Sequence, residues 1–170
     1  MTEPVLDLGA LRNAIASLEG GLAVVGDSAW FSQQPAIVQD TLIAGVIQNF
    51  EFVYEIGVKM LRRQIELESD SPAEIDAVNF RDLLRIAGEK GLIADVEAWF
   101  RYRKMRDLTA HTYDRQKARE VYRDTLTFIG DARSLLACLE ARNGRQTADR
   151  YPAGSVGDHA RYPTQTRSRL

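Results

Sequence analysis

The segment from about Pro35 to Glu68 limits the fold more than any other part of the chain. Its apolar residues Ile43, Val46, Ile47, Phe50, Val53, Tyr54, Gly57, Met60 and Leu61 follow the i, i+3, i+4, i+7 rhythm of one buried helical stripe. The other long segments share that period. A first helix spans about Leu6 to Val25, weakened near its end by Gly20-Gly21. The loop G-D-S-A-W-F-S-Q-Q-P then leads into the long helix, E-S-D-S-P closes it, and Ser71-Pro72 opens a short segment. A third helix, N-F-R-D-L-L-R-I-A-G-E-K, stops near Gly91, and Asp95 caps a fourth over about 96–109. Thr112 or Asp114 caps a fifth over about 115–141, which ends at Asn143-Gly144. No segment alternates as a half-buried strand does, and no internal repeat is present. Long amphipathic helices with short connections predict an all-α, antiparallel helical bundle of about four to five helices.

The 170 residues suit one domain with a tail. The bundle is expected over 5–141. Residues 142–170, rich in Arg, Gly, Pro, Thr and Ser, are expected to be a disordered basic tail. The single cysteine, Cys138, cannot form an internal disulfide and reads as a core residue. The start M-T-E-P-V-L-D-L lacks the basic opening of a signal peptide, and no apolar run approaches the ~20 residues that cross a bilayer. A soluble cytoplasmic protein is expected.

The net charge of −2 conceals an asymmetry. Residues 1–100 carry 7 Lys/Arg against 16 Asp/Glu, whereas residues 101–170 carry 15 against 8. The basic excess suits an anionic ligand or acidic partner, and equally a solvated basic face.

Within that basic half, one arginine is out of place. On a helical wheel, Trp99, Tyr102, Val96, Phe100, Ala98 and Met105 form an apolar arc, with Glu97, Arg101 and Lys104 opposite. Arg106 falls about 20° from Trp99, inside the arc. A guanidinium there needs an anion, because desolvating a lone charge is costly. Two partners fit: a carboxylate of the long helix, Glu51 or Glu55, or a phosphate bound in a cleft. His111 would lie about 140° from Arg106 on a continuous helix. The two converge only if the fourth helix ends near Thr109 and His111 sits in the turn. Tyr113 then stands near the first turn of the next helix, where free N–H groups favour anions.

The stretch Arg106-Asp-Leu-Thr-Ala-His111-Thr-Tyr113 resembles the R-x4-H-x-Y signature of the HEPN superfamily. Gln48 to Lys59 resembles that family's second-helix pattern Q-x-F-E-x-x-x-E-x-x-x-K, and L-L-R-I-A-G-E-K-G-L-I and E-A-W-F resemble the segments before the motif. The resemblance covers about residues 5–141 and is to the HepT-like, or nucleotidyltransferase substrate-binding-like, branch. It implies a homodimeric helical bundle whose arginine–histidine sets face a shared cleft, and a small nucleotidyltransferase partner. It also implies a metal-independent ribonuclease toxin, silenced when the partner adds AMP to the motif tyrosine. Carried over, Arg106 and His111 are catalytic and Tyr113 is the AMP acceptor. Two positions depart from the pattern: Asp107 stands where Asn is common and could pair with Arg106 or His111, and Val58 replaces an aromatic.

On this reading His111 takes a proton from a ribose 2′-hydroxyl, Arg106 stabilises the phosphorane, and a second copy supplies the general acid. No cofactor or metal is called for, since the motif lacks ligands at metal-binding spacing. The alternative is a non-catalytic subunit that binds a substrate or nucleotide for the nucleotidyltransferase. A blander one is a structural dimer in which Arg106 only pairs with Glu51 or Glu55. Phe52 and Ile56, opposite the apolar stripe, suggest a second packed surface, against another copy or another helix of the same chain. Glu55–Lys59 has the spacing of a favourable helical ion pair. His159, in the tail, receives no role.

Overall fold

The computed structural model describes residues 6–150, with side chains described for 6–144. Among these residues there are helices and no strands. The long helices are α1 (Gly9–Gly26), α3 (Ala36–Leu67), α5 (Phe80–Glu89), α6 (Val96–Leu108) and α7 (Arg115–Arg150). Two short helices, α2 (Ser28–Phe31) and α4 (Pro72–Asp76), occupy the connections, and a 3-10 turn spans Thr109–His111. No helix of the described residues is long and apolar enough to cross a membrane.

Local chemistry sets most boundaries. Pro35 opens α3, and Pro72 occupies the first turn of α4, where its missing N–H has no partner to lose. The Asn79 side chain accepts from the Asp82 N–H at 3.0 Å to start α5, and Asp95 accepts from the Ala98 N–H at 2.9 Å to start α6. Helix α5 ends at Gly91, whose φ of 70° is readily adopted only by glycine. There the Leu92 N–H reaches the Ala87 carbonyl and the Gly91 N–H reaches that of Gly88, closing the last turn.

Two boundaries differ from the sequence expectation. The loop before α3 contains α2, because Asp27 accepts from the Trp30 N–H at 3.2 Å and nucleates a turn. Helix α7 does not stop at Asn143-Gly144 but runs on to Arg150. A helical glycine costs only about 1 kcal/mol, and nearby contacts favour continuation. Arg142 donates to Glu68 at 2.8 Å and to the Lys90 carbonyl, and buried Asn143 donates to the Leu6 carbonyl at 3.4 Å. The remainder of the expected tail, 151–170, including His159, lies outside the described residues.

Helix α3 is the axis of the bundle. Its predicted stripe is buried from Ile43 to Leu61, with Met60 only partly covered. Helices α1, α6 and α7 surround it and share one core. Direction follows from which residues meet: Gly21 and Val46 pack at one end of the α1–α3 seam, and Leu11 and Gly57 at the other, so the two are antiparallel. Arg12 pairs with Glu140, and Arg133 with Glu19, so α1 also opposes α7. Helices α3 and α7, separated in sequence, therefore run parallel.

Gly21 explains why a diglycine is tolerated inside α1. A Cβ there would lie 3.1 Å from Val46 Cγ2, so the missing side chain lets the two helices close up. At Gly57 a Cβ would meet Leu135, Leu11 and Trp99 at 3.5–3.9 Å, where four helices converge. Gly57→Ala therefore fits and gains helix propensity, raising stability by about 0.5–1 kcal/mol. Gly57→Leu overfills the crossing and lowers stability by about 1–3 kcal/mol. Chemical denaturation of the two variants checks both signs.

Candidate functional site

The site begins where α6 runs out. Phe128 of α7 is fully buried, with its ring 4.8 Å from Phe50 of α3, 4.9 Å from Tyr102 and 6.1 Å from Trp99 of α6. Tyr102 also donates to Asp131 of α7, and burial followed by that bond raises its pKa above the ordinary phenol value. These contacts hold α6 against α3 and α7 one turn before Arg106.

Arg106 leaves the apolar arc toward α3, as the wheel requires. Its Nε and Nη2 donate to Glu55 Oε1 at 2.9 and 2.7 Å, and its Nη1 lies 3.5 Å from Glu51 Oε1. The same Nη1 donates to the Thr109 hydroxyl at 3.1 Å, and that hydroxyl donates back to the Arg106 carbonyl at 2.7 Å. The bond to Glu55 is the largest influence raising the Arg106 pKa; burial opposes it and Glu51 adds to it. The pair that sequence reasoning offered as the bland explanation therefore exists, but it is not sealed. The Arg106 side chain is 31% exposed and lines an open cleft of about 530 Å³ between α3 and α6.

The helix break falls at Thr109, as expected. The 3-10 turn brings out His111, which is exposed, and Tyr113 follows at 85% exposure. Their rings stand 6.2 Å apart and nearly perpendicular. Asp114 then caps α7 by accepting from the Gln116 N–H at 2.8 Å. Tyr113 borders a cavity of about 170 Å³ that Arg115 and Arg119 also line. The structure thus gathers Arg106, Glu51 and Glu55 on one side of the turn and His111 with Tyr113 on the other.

Asp107 pairs with neither Arg106 nor His111. Its carboxylate lies 3.8 Å from Arg103 Nε, one turn back on the same face. Glu55 serves Arg106 rather than Lys59, so the expected Glu55–Lys59 pair is not formed. One carboxylate facing two cations goes to the better fork, because a guanidinium offers two aligned N–H groups. Ile56 is partly buried against the core, whereas Phe52 remains 49% exposed. Cys138 is partly buried and points at the Gly91 carbonyl.

Sequence reasoning missed Thr109 and Arg103. Thr109 follows Arg106 by the three residues that bring side chains together at a helix end. Arg103 lies about 40° from Trp99 on the same wheel, so it too was legible as a cation within the arc. Its guanidinium caps the Phe80 ring, 5.0 Å from the centroid, which lets a charge sit on an apolar surface.

A family model described as nucleotidyltransferase substrate binding protein like matches residues 6–141. The chain is 46% identical over 138 residues to a Haemophilus influenzae protein named probable ribonuclease HepT, covering 81% of this chain and 94% of that one. It is also similar to a solved Haemophilus influenzae structure, described as revealing the fold of a substrate binding domain of a nucleotidyltransferase. The TM-score is 0.77 at 46% identity, over 79% of this chain and 99% of that one.

The Arg106–Glu55 pair is partly solvated, so its coupling is modest. A double-mutant cycle of Glu55→Gln and Arg106→Gln is expected to return about 0.5–1 kcal/mol by chemical denaturation. A coupling of zero would mean the pair does not hold in solution.

Proposed function

Since this chain belongs to the nucleotidyltransferase substrate binding protein-like family, we propose that it is a HepT-like toxin, a metal-independent ribonuclease neutralised by a cognate nucleotidyltransferase. The observation that carries the reading is the end of α6. Arg106 is oriented by Glu55 and Thr109 yet remains open to the cleft, and the chain breaks at once to present His111 and Tyr113. The name of the Haemophilus influenzae relative supports the same reading.

The chemistry follows from these side chains. His111 accepts the proton of a ribose 2′-hydroxyl, and the 2′-oxygen bonds to the adjacent phosphorus. The P–O5′ bond breaks, leaving a cyclic phosphate and a 5′-hydroxyl that takes its proton from the His111 of a second copy. Arg106 exchanges carboxylate contacts for the phosphorane oxygens, where its planar fork stabilises the charge that develops. Homodimerisation, with half-exposed Phe52 as part of the contact, would bring the two sites to one RNA in the cytoplasm.

Purified protein should cleave single-stranded RNA with a chelator present, and His111→Ala and Arg106→Ala should each lose at least about a hundredfold in rate. Equal cleavage by the wild type and His111→Ala would overturn the reading.

Tyr113 is reachable by a second enzyme, and AMP attached there would place its phosphate near Arg115 and Arg119 and crowd the His111 ring. Incubation with the cognate nucleotidyltransferase and ATP should add AMP to Tyr113, read by mass spectrometry, and should abolish cleavage. Tyr113→Phe should accept no AMP and stay active.

The description of the solved relative favours a second reading, a non-catalytic subunit that binds a substrate or nucleotide for the nucleotidyltransferase. Growth arrest on expression without the partner, relieved by Arg106→Ala, separates the toxin from that subunit.

A further inference from the structure

The cleft beside Arg106 holds more positive charge than the motif needs. Lys59 and Arg62 of α3 and Arg103 of α6 line it together with Arg106. Three acids among the described residues face these four cations, and all are engaged: Glu55 and Glu51 by Arg106, and Asp107 by Arg103. Arg62 donates to the Ile75 and Val78 carbonyls, at 2.7 and 3.2 Å, so its contacts are to neutral acceptors and its charge is not cancelled. Lys59 loses its natural helical partner to Arg106 and forms no ion pair among the described residues.

Tyr54 is a second and independent sign. It lines the same cleft, is only 4% exposed, and its hydroxyl, next to the Arg103 guanidinium, has no acceptor for its own proton among the described residues. Burial raises its pKa, an effect opposed by the charge of the nearby Arg103 guanidinium and by a hydrogen bond from it. Buried hydroxyls usually donate as well as accept, so one whose proton meets only cations, beside an unpaired Lys59, marks the place of an absent acceptor.

From this juxtaposition we infer that Tyr54, Lys59 and Arg62 form a phosphodiester subsite that holds the backbone of single-stranded RNA one linkage away from the phosphate at Arg106. The inference rests on the ribonuclease reading and extends it to how the substrate is held. A strand fits better than a free nucleotide, because the basic surface does not end at this cleft. Arg103 also lines a neighbouring groove of about 630 Å³ between α5 and α6, where Arg81, Arg85 and Lys104 outnumber Glu89 and Glu97 beside the Phe100 ring. Arg81 caps that ring at 5.7 Å. Basic side chains interleaved with an aromatic ring are the usual means of tracking a single strand.

The test measures binding of a short single-stranded oligoribonucleotide by fluorescence anisotropy, on the full chain carrying His111→Ala so that nothing is cut. Adding Lys59→Gln should weaken binding several-fold and lower the log–log salt slope by about 0.7, the loss of one phosphate contact. Adding Tyr54→Phe should weaken binding several-fold while leaving the unfolding midpoint nearly unchanged, since it deletes a hydroxyl whose proton has no acceptor and keeps the ring. A purely structural Tyr54 would lower the midpoint and leave affinity alone. If both variants keep the parent affinity and slope, the subsite is overturned, and the ribonuclease reading stands provided the His111-intact chain cleaves. If Lys59→Gln weakens binding but the His111-intact chain cuts nothing, the subsite stands and the ribonuclease reading falls. If AMP alone binds as tightly as the strand and loses as much on Lys59→Gln, the site takes a mononucleotide and the strand assignment is overturned.

Discussion

Three aromatic rings from two helices meet around Phe128 of a third, and the position of Arg106 depends on that contact. Rings packed edge to face bury large areas and also fix orientation, because the positive edge of one prefers the negative face of another. Phe50 thereby fixes α3 against α7, and Trp99 and Tyr102 fix α6 against both. Arg106 lies one turn beyond Tyr102, so the rotation of α6 set by the rings determines that the guanidinium reaches Glu55. A bundle with looser packing at Phe128 would leave α6 free to turn, and the arginine would lose its aim.

The helices were legible because their signals are local. Apolar stripes, an Asn or Asp before a first turn and a glycine after a last one act within a few residues, and α3, α5 and α6 follow them closely. The end of α7 was not legible, because what carries it past Asn143-Gly144 is distant in sequence: Glu68, the Lys90 carbonyl and the Leu6 carbonyl. Helix α2 was missed for a different reason. Its cap at Asp27 was visible, but a run holding Ser, Gln and Pro reads as loop when taken as a whole.

The candidate site divides in the same way. That Arg106 needs an anion, and that the helix breaks before His111, both follow from counting residues. Which anion it finds does not, since Glu51 and Glu55 both lie in reach and both contribute. Asp107 shows the limit of reasoning by adjacency: a neighbour in sequence points about 100° away on a helix, and it pairs with Arg103 instead. The burial of Tyr54 was expected from the apolar stripe, but that its hydroxyl proton finds no acceptor could be seen only once the helices were assembled.

Along one side of α3 the charges change sign. Glu51 and Glu55 come first, then Lys59 and Arg62, each three or four residues after the last, over about 16 Å of helix. The acidic end is occupied by an arginine of the protein itself, whereas the basic end is left open. The cleft is therefore polar along its length. A chain of negative charges laid in it does not meet equivalent ends: it is drawn in at Lys59 and Arg62 and meets carboxylates at the other end, where only the group that engages Arg106 is compensated. Such a groove fixes where along its length a polyanion rests rather than which way round it lies, and it does so with a single continuous helix.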